Sequence, residues 1–232
     1  ATAKTGDVVA VDYAGKEFTA GSISLVQPGA LIASPDPVKA GEDLTISGDD
    51  LDVVTTVTFP GAGEGSFYYD EDKGIVTTVP ATATEGDITL GMANGDAVSV
   101  AYTLVHPTVT EVAPTELMAG GEIIVKGTDL DLVSKATLGG KEVGVEFADD
   151  VLKLLTSNTS VSGKIVLTLA NGETVEPEET ITLSYDSFII VNELPAAEHI
   201  GALVTMKGEN FMMIENIYIG EKKVTGYLVG TE

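Results

Sequence analysis

The sequence predicts an all-β chain, built as a tandem array of small β-sandwiches. Three observations lead there. A set of residues recurs with fixed spacing: Pro35, Gly41, Gly48, Asp50, Leu51, then Pro114, Gly120, Gly127, Asp129, Leu130, then Pro195, Gly201, Gly208, Asn210, Phe211. Gly48 to Gly127 is 79 residues and Gly127 to Gly208 is 81, a period that suits one small domain per repeat rather than a solenoid. Between these markers apolar residues alternate with polar ones, and helical periodicity of useful length is absent.

Each repeat opens on its Pro. Leu44 and Ile46 then alternate with Thr45 and Ser47, and Ile123 with Val125, then Val204 with Met206, hold the equivalent places. A period of two marks a half-buried strand. The Gly-x-Asp/Asn-Leu/Phe step follows, where Asp or Asn bonds nearby backbone and Gly accepts positive φ, so a tight turn is expected. Positive φ is expected at Gly48, Gly127 and Gly208 or at their neighbours. Leu51, Leu130 and Phe211 plug the core after that turn. A second strand carries Val57 and Phe59, matched by Ala136 and Leu138 and by Ile217 and Ile219.

The far end of the repeat also recurs. Gly6, Gly86 and Gly163 each open a strand, and Ala14-Gly15, Asn94-Gly95 and Asn171-Gly172 follow eight residues on. Asn-Gly between apolar runs is a strong hairpin signal. These landmarks set the boundaries. Residues 1–33 are the last strands of one repeat, 34–112 and 113–193 are complete repeats, and 194–232 begin a further one. Short strands and glycine turns in units of this size imply β-sandwiches.

Composition narrows the function. Apolar residues make up 44% of 232, enough to core each repeat. Asp and Glu total 36 against 12 basic residues, all of them Lys, and the net charge is −24. Such a chain repels phosphate backbones and lacks Arg for bidentate base contacts, so nucleic acid is excluded as a partner. No apolar run reaches the roughly 18 residues of a membrane span, so no membrane insertion is expected of this segment. There is no Cys, hence neither a disulfide nor a thiolate metal site. Nothing at Ala1 reads as a leader, so the chain reads as a mature form or a fragment.

The pattern Pro-x5-Gly-x6-Gly-x-Asp/Asn-Leu/Phe, an apolar strand and then Gly resembles the IPT/TIG family of immunoglobulin-like domains. It is carried by Gly41 to Gly48, by Gly120 to Leu130, and by the closing Gly139 and Gly220; Pro60-Gly61 shifts the last feature by two in the first complete copy. The resemblance implies tandem immunoglobulin-like sandwiches of a bacterial surface protein. The acidic, Cys-free array is similar to the stalk of surface glycan-binding lipoproteins, which implies an outer-membrane, extracellular setting and polysaccharide or other surface proteins as partners.

No catalytic set emerges. His106 and His199 lie in different repeats, Gly-x-Ser-x-Gly is absent, and no phosphate loop occurs. The chain therefore reads as non-enzymatic, with no cofactor. The acids Asp49, Asp50 and Asp52, Asp129 and Asp131, and Asp70, Glu71 and Asp72 invite calcium, but the EF-hand spacing is missing, and Met212 stands in the third copy where Asp52 and Asp131 stand in the others. They read as turn and solvated-face residues, and no metal site is expected. Asn158-Thr159-Ser160 matches a glycosylation sequon by chance spacing. Phe67-Tyr68-Tyr69 is the one aromatic run and the candidate ligand site, with sugar faces stacking on loop aromatics; the competing reading is a strand with alternate rings buried. The function expected is a spacer or scaffold for a cell-surface binding protein in polysaccharide capture. The alternative is a structural polymer or adhesin in which residues 1–33 complete 194–232 of another copy by strand exchange.

Overall fold

The computed structural model describes residues 3–185, 190–195, 199, 202–209, 211, 214 and 216–226. It is a chain of tandem immunoglobulin-like β-sandwiches. It divides into two compact units, Ala1–Pro107 with Leu169–Glu173, and Thr108–Thr168 with Thr174–Glu232.

In the first unit, β1 (Gly6–Val11) and β2 (Glu17–Ile23) form a two-stranded hairpin whose side chains are exposed. The sandwich follows, with β3 (Gly29–Ser34), β4 (Asp43–Asp49), β5 (Val54–Phe59), β6 (Gly63–Gly65), β7 (Phe67–Asp70), β8 (Gly74–Thr78), β9 (Gly86–Met92) and β10 (Ala97–Tyr102). One sheet runs β3-β4-β8-β7 and the other β10-β9-β5-β6. Their inner faces interdigitate through Leu44, Ile46, Leu51, Val57, Phe59, Ile75, Ile88 and Leu90, all buried. The alternation read from the sequence is thus the alternation of core and outer face. The strands β1, β9 and β17 (Gly163–Leu169) each begin at the Gly expected to open them, and Gly15, Gly95 and Gly172 take positive φ in the hairpin turns.

The second sandwich repeats the plan with β11 (Thr108–Ala113), β12 (Glu116–Met118), β13 (Glu122–Thr128), β14 (Val133–Leu138), β15 (Lys141–Ala148), β16 (Val151–Leu155), β17, β18 (Thr174–Val175) and β19 (Thr180–Ser184). Ile123, Val125, Leu130, Ala136, Leu138, Leu152, Leu154, Ile165 and Leu167 fill its core. Here one continuous strand, β15, joins the sheets. Lys141–Val143 pair with β14 and Gly144–Ala148 with β16. In the first sandwich the same crossing is broken into β6 and β7, separated by Ser66.

The recurring Pro has a structural reason. Before it, β3 pairs with β4 and β11 with β13; after it, the chain bridges to the other sheet, Val38 to Leu104 and β12 to β19, both parallel. A residue without an N–H interrupts a ladder at little cost where the chain changes sheets.

The expectation of positive φ beside Gly48 and Gly127 is corrected. Positive φ falls two residues later, at Asp50 (φ 55°) and Asp129 (φ 54°), which lead into short 3-10 turns carrying buried Leu51 and Leu130. Asp and Asn enter this region more readily than most residues, which explains the Asp/Asn of the repeat. Gly48 and Gly127 are required for a different reason: the neighbouring strand crosses on top of them, with Gly29 O 2.6 Å from where a methyl on Gly48 would sit. Gly201 and Asn210 lie outside the described residues.

In the last repeat, Lys207–Glu209 pairs with Ile190–Glu193, and Tyr218–Ile219 with Lys222–Lys223. The strand expected around Val204 and Met206 does not form at 202–206. The equivalent residues of the first sandwich, Asp43–Ile46, are held by β8, and those of the second, Glu122–Val125, by β16. No strand takes that place among the described residues after 190, and only the half that pairs with the preceding strand is regular.

Two tyrosines anchor the sandwiches. Tyr102 Oη donates to Thr84 O at 2.7 Å, and Tyr185 Oη to Ser160 O at 2.7 Å. Burial pushes the Tyr102 hydroxyl up from 10.0 to about 12, and the Glu85 charge adds to this. Folding holds the neutral phenol, so its contribution is complete below pH 10 and is lost as pH rises toward 12. Tyr102→Phe is expected to lose about 1–3 kcal/mol at neutral pH by leaving Thr84 O without its donor. Urea unfolding at pH 8 and at pH 11 checks this: the gap between wild type and Tyr102→Phe should narrow at the higher pH. A gap independent of pH would remove the phenol from the account.

Candidate functional site

The aromatic run Phe67-Tyr68-Tyr69 lies on a strand, β7, rather than on a loop. The strand ends in a turn tied by Asp70 Oδ1, which accepts the Asp72 and Lys73 N–H groups at 2.9 and 3.0 Å. β7 is the edge of its sheet, paired only with β8 as Phe67↔Thr77, Tyr68↔Val76 and Tyr69↔Ile75. Phe67 packs against the core. Tyr69 is opposite the core residue Ile75, yet at an edge nothing closes over it and it stays 45% exposed. Tyr68, on the outer face, is 58% exposed. The burial of alternate rings therefore holds for Phe67 and stops short at Tyr69.

The second sandwich separates structural from specific residues. Phe147 on β15 pairs with Leu152 as Tyr69 pairs with Ile75, and it too is partly exposed. An aromatic at that edge position is common to both copies and reads as a cover over the open end of the core. Tyr68 has no such counterpart, since Glu146 stands at its place, opposite Lys153. Of the three aromatics, Tyr68 is the one that belongs to the first copy's surface alone.

Register carries Tyr68 across the sheet. Tyr68 pairs with Val76, Val76 with Thr45 and Thr45 with Ser34, a single row over four strands. Val76 lies outside the core cluster that holds Ile75, yet is only 6% exposed. The next outer row brings Ser47 opposite Ile32, which is 63% exposed. At one rim Thr78 Oγ1 donates to Asp43 Oδ1 at 2.7 Å. Thr45, Ser34, Ser47 and Ile32 were not singled out in the sequence. Their alternation was visible, but which strand lies beside Phe67–Asp70 depends on pairing that is not local.

The other candidates resolve into structure. His106 Nε2 lies 3.2 Å from Glu85 Oε1, which also accepts the Leu104 N–H at 2.9 Å. That N–H first, and then His106, hold the Glu85 carboxyl below its ordinary range. His199 is exposed. Asp50 shapes its turn as described, and among the described residues no group of three or more His, Asp or Glu side chains is arranged for a metal ion. No helix among them is long and apolar enough to cross a membrane. An open groove of about 570 Å³ is lined by Asn192, Glu193, Leu194, Pro195, Leu203 and Thr205.

No protein-family model matches the chain, and no curated protein matches it by sequence. Solved structures similar to it include the surface glycan-binding protein SGBP-B of the Bacteroides ovatus mixed-linkage glucan utilization locus, in complex with a mixed-linkage heptasaccharide. That match has 18% identity, covers 83% of this chain and 56% of that one, and has a TM-score of 0.30. Another is surface glycan-binding protein PbSGBP-B from Prevotella bryantii, at 15% identity over 62% of this chain and 37% of that one, TM-score 0.32. The tandem Ig repeats of Dlar match at 11% identity over 67% of this chain and 98% of that one, TM-score 0.23. The chain spans 37–56% of the length of the surface glycan-binding structures it matches.

Proposed function

We propose that the chain is a non-enzymatic array of immunoglobulin-like repeats in a bacterial cell-surface protein, where it spaces and scaffolds polysaccharide capture. In this reading the two whole repeats that the Pro spacing puts at 34–112 and 113–193 each take their first strand, β3 or β11, from just before the Pro, 1–33 and 194–232 otherwise hold parts of others, and the protein is an outer-membrane lipoprotein. The observation that supports it best is the doubled sandwich. The same scaffold is built twice around separate cores, and of Phe67, Tyr68 and Tyr69 on the edge strand β7 of the first, Tyr68 stands exposed on the outer face. A sugar ring offers an apolar face to an aromatic and hydroxyls to Ser and Thr, and a net charge of −24 favours a ligand without negative charge.

The test is electrophoresis of the 232-residue chain through native gels containing mixed-linkage β-glucan, xyloglucan or galactomannan, beside a reducing-end assay on the same polysaccharides. Slowed migration in at least one gel with no new reducing ends is the expected result. Turnover that a single substitution removes would overturn the non-enzymatic reading.

A second reading, strand exchange between copies, is favoured by one observation: Val9, Val11, Phe18 and Ile23 of the β1–β2 hairpin are exposed. Light scattering across a concentration series separates the two. The scaffold reading expects a constant monomer mass, and exchange expects oligomers that disappear on deletion of 1–26, which removes the β1–β2 hairpin and leaves β3 in place.

A further inference from the structure

We propose that the outer face of the β3-β4-β8-β7 sheet is a docking platform for a neutral polysaccharide chain, with Tyr68 as its stacking residue. This rests on the polysaccharide reading above and assigns it to one face.

The two sandwiches differ on this face at matched positions. In the second, the row equivalent to Tyr68–Val76–Thr45–Ser34 is Glu146–Lys153–Ile124–Ala113. The pair equivalent to Ser47 and Ile32 is Lys126 and Glu111, joined by an ion pair at 2.9 Å. That face is what a solvated sheet surface looks like, with opposite charges set across neighbouring strands. In the first sandwich, on the same backbone, every one of those charges is replaced. The row holds an aromatic ring, a covered Val and two hydroxyls, with Ser47 and an exposed Ile32 beside it.

Solvation alone does not call for this exchange. The exchange leaves a face with an exposed Tyr, an exposed Ile and no Lys, on which a partner can dock without desolvating a charge. The chemistry present selects the partner. The row spans four strands, about 14 Å, and offers a ring at one end with hydroxyl donors and acceptors along its length. The acids nearest to it are already engaged, Asp70 by its turn and Asp43 by Thr78. A face without positive charge, on a chain of net charge −24, does not attract a polyanion. A neutral glycan, with C–H faces for the ring and hydroxyls for Thr45 and Ser34 and for Ser47, whose Oγ donates to Ile32 O and is left to accept, fits these requirements.

Four forms of the full chain test this: wild type, Tyr68→Ala, the double variant Tyr68→Glu with Val76→Lys, and Phe147→Ala. The double variant copies the second sandwich's own Glu146–Lys153 pair. Each is run through native gels of mixed-linkage β-glucan, xyloglucan, galactomannan and polygalacturonate, and its urea midpoint is measured in parallel. The wild type and Phe147→Ala should be slowed by at least one neutral polysaccharide and not by polygalacturonate. Both Tyr68 variants should bind at least tenfold more weakly, Tyr68→Ala with an unchanged urea midpoint. Neutral binding that survives both Tyr68 variants overturns the platform and leaves the polysaccharide reading standing. Binding to polygalacturonate alone overturns the neutral ligand. A wild type slowed by none of the four overturns both the platform and the reading it rests on.

Discussion

Phe59→Ala should destabilise the first sandwich by about 3–5 kcal/mol, the largest loss expected from a single truncation in this chain. Phe59 is 1% exposed and meets the Tyr102 ring edge-on, with centroids 5.9 Å apart and planes at 80°. Removing the ring forfeits its own transfer energy and the edge-to-face contact, and it opens a cavity between two sheets pinned by their ladders. The sheets do not collapse into such a gap, because β5 is hydrogen-bonded to both β6 and β9. Urea unfolding followed by circular dichroism reads the loss. A cost below about 1 kcal/mol would place the ring outside the core.

Gly127→Ala should cost about 1–3 kcal/mol or more, by overpacking against backbone. A methyl at Gly127 would collide with Thr108 O and lie 2.8 Å from Thr108 C and 3.1 Å from Val109 Cα. These atoms belong to β11, which pairs with β13 through Val109↔Gly127, so the strand itself has to move. At Gly48 the equivalent methyl meets Gly29 O at 2.6 Å and the Leu31 side chain at 2.9 Å. Part of that obstacle is a rotatable group, so Gly48→Ala should be the milder change. Thermal melts of the two variants give the order. Equal midpoints, or the reverse order, would contradict the close-crossing explanation of the repeated Gly.

How much of this was legible in the sequence follows from what is local. The buried positions of Leu51, Leu130, Phe59 and Leu138, the strand openings at Gly6, Gly86 and Gly163, and the Asn-Gly turns all rest on period and turn chemistry within a few residues. The reason for Gly48 and Gly127 did not, because it lies in a crossing strand some 20 residues away. Nor did the failure of 202–206 to pair, which depends on the third strand of the sheet. The candidate site shows the same division. Phe67-Tyr68-Tyr69 stood out as a run, yet its sorting into one core ring, one edge cover and one outer-face ring required β7 to be placed beside β8. The hydroxyl row across the sheet exists only through registers that join residues 34, 45, 76 and 68.

If the two sandwiches are one scaffold and the outer face of the first carries the binding chemistry, that chemistry is transferable between them. The most direct measurement is transfer of that face. Into the chain already carrying Tyr68→Glu and Val76→Lys, one introduces Glu146→Tyr, Lys153→Val, Ile124→Thr and Ala113→Ser, and retention in neutral-polysaccharide gels is measured again. The account predicts that retention lost from the first sandwich returns from the second. A folded grafted chain that runs unretarded, while the wild type is slowed, would contradict it.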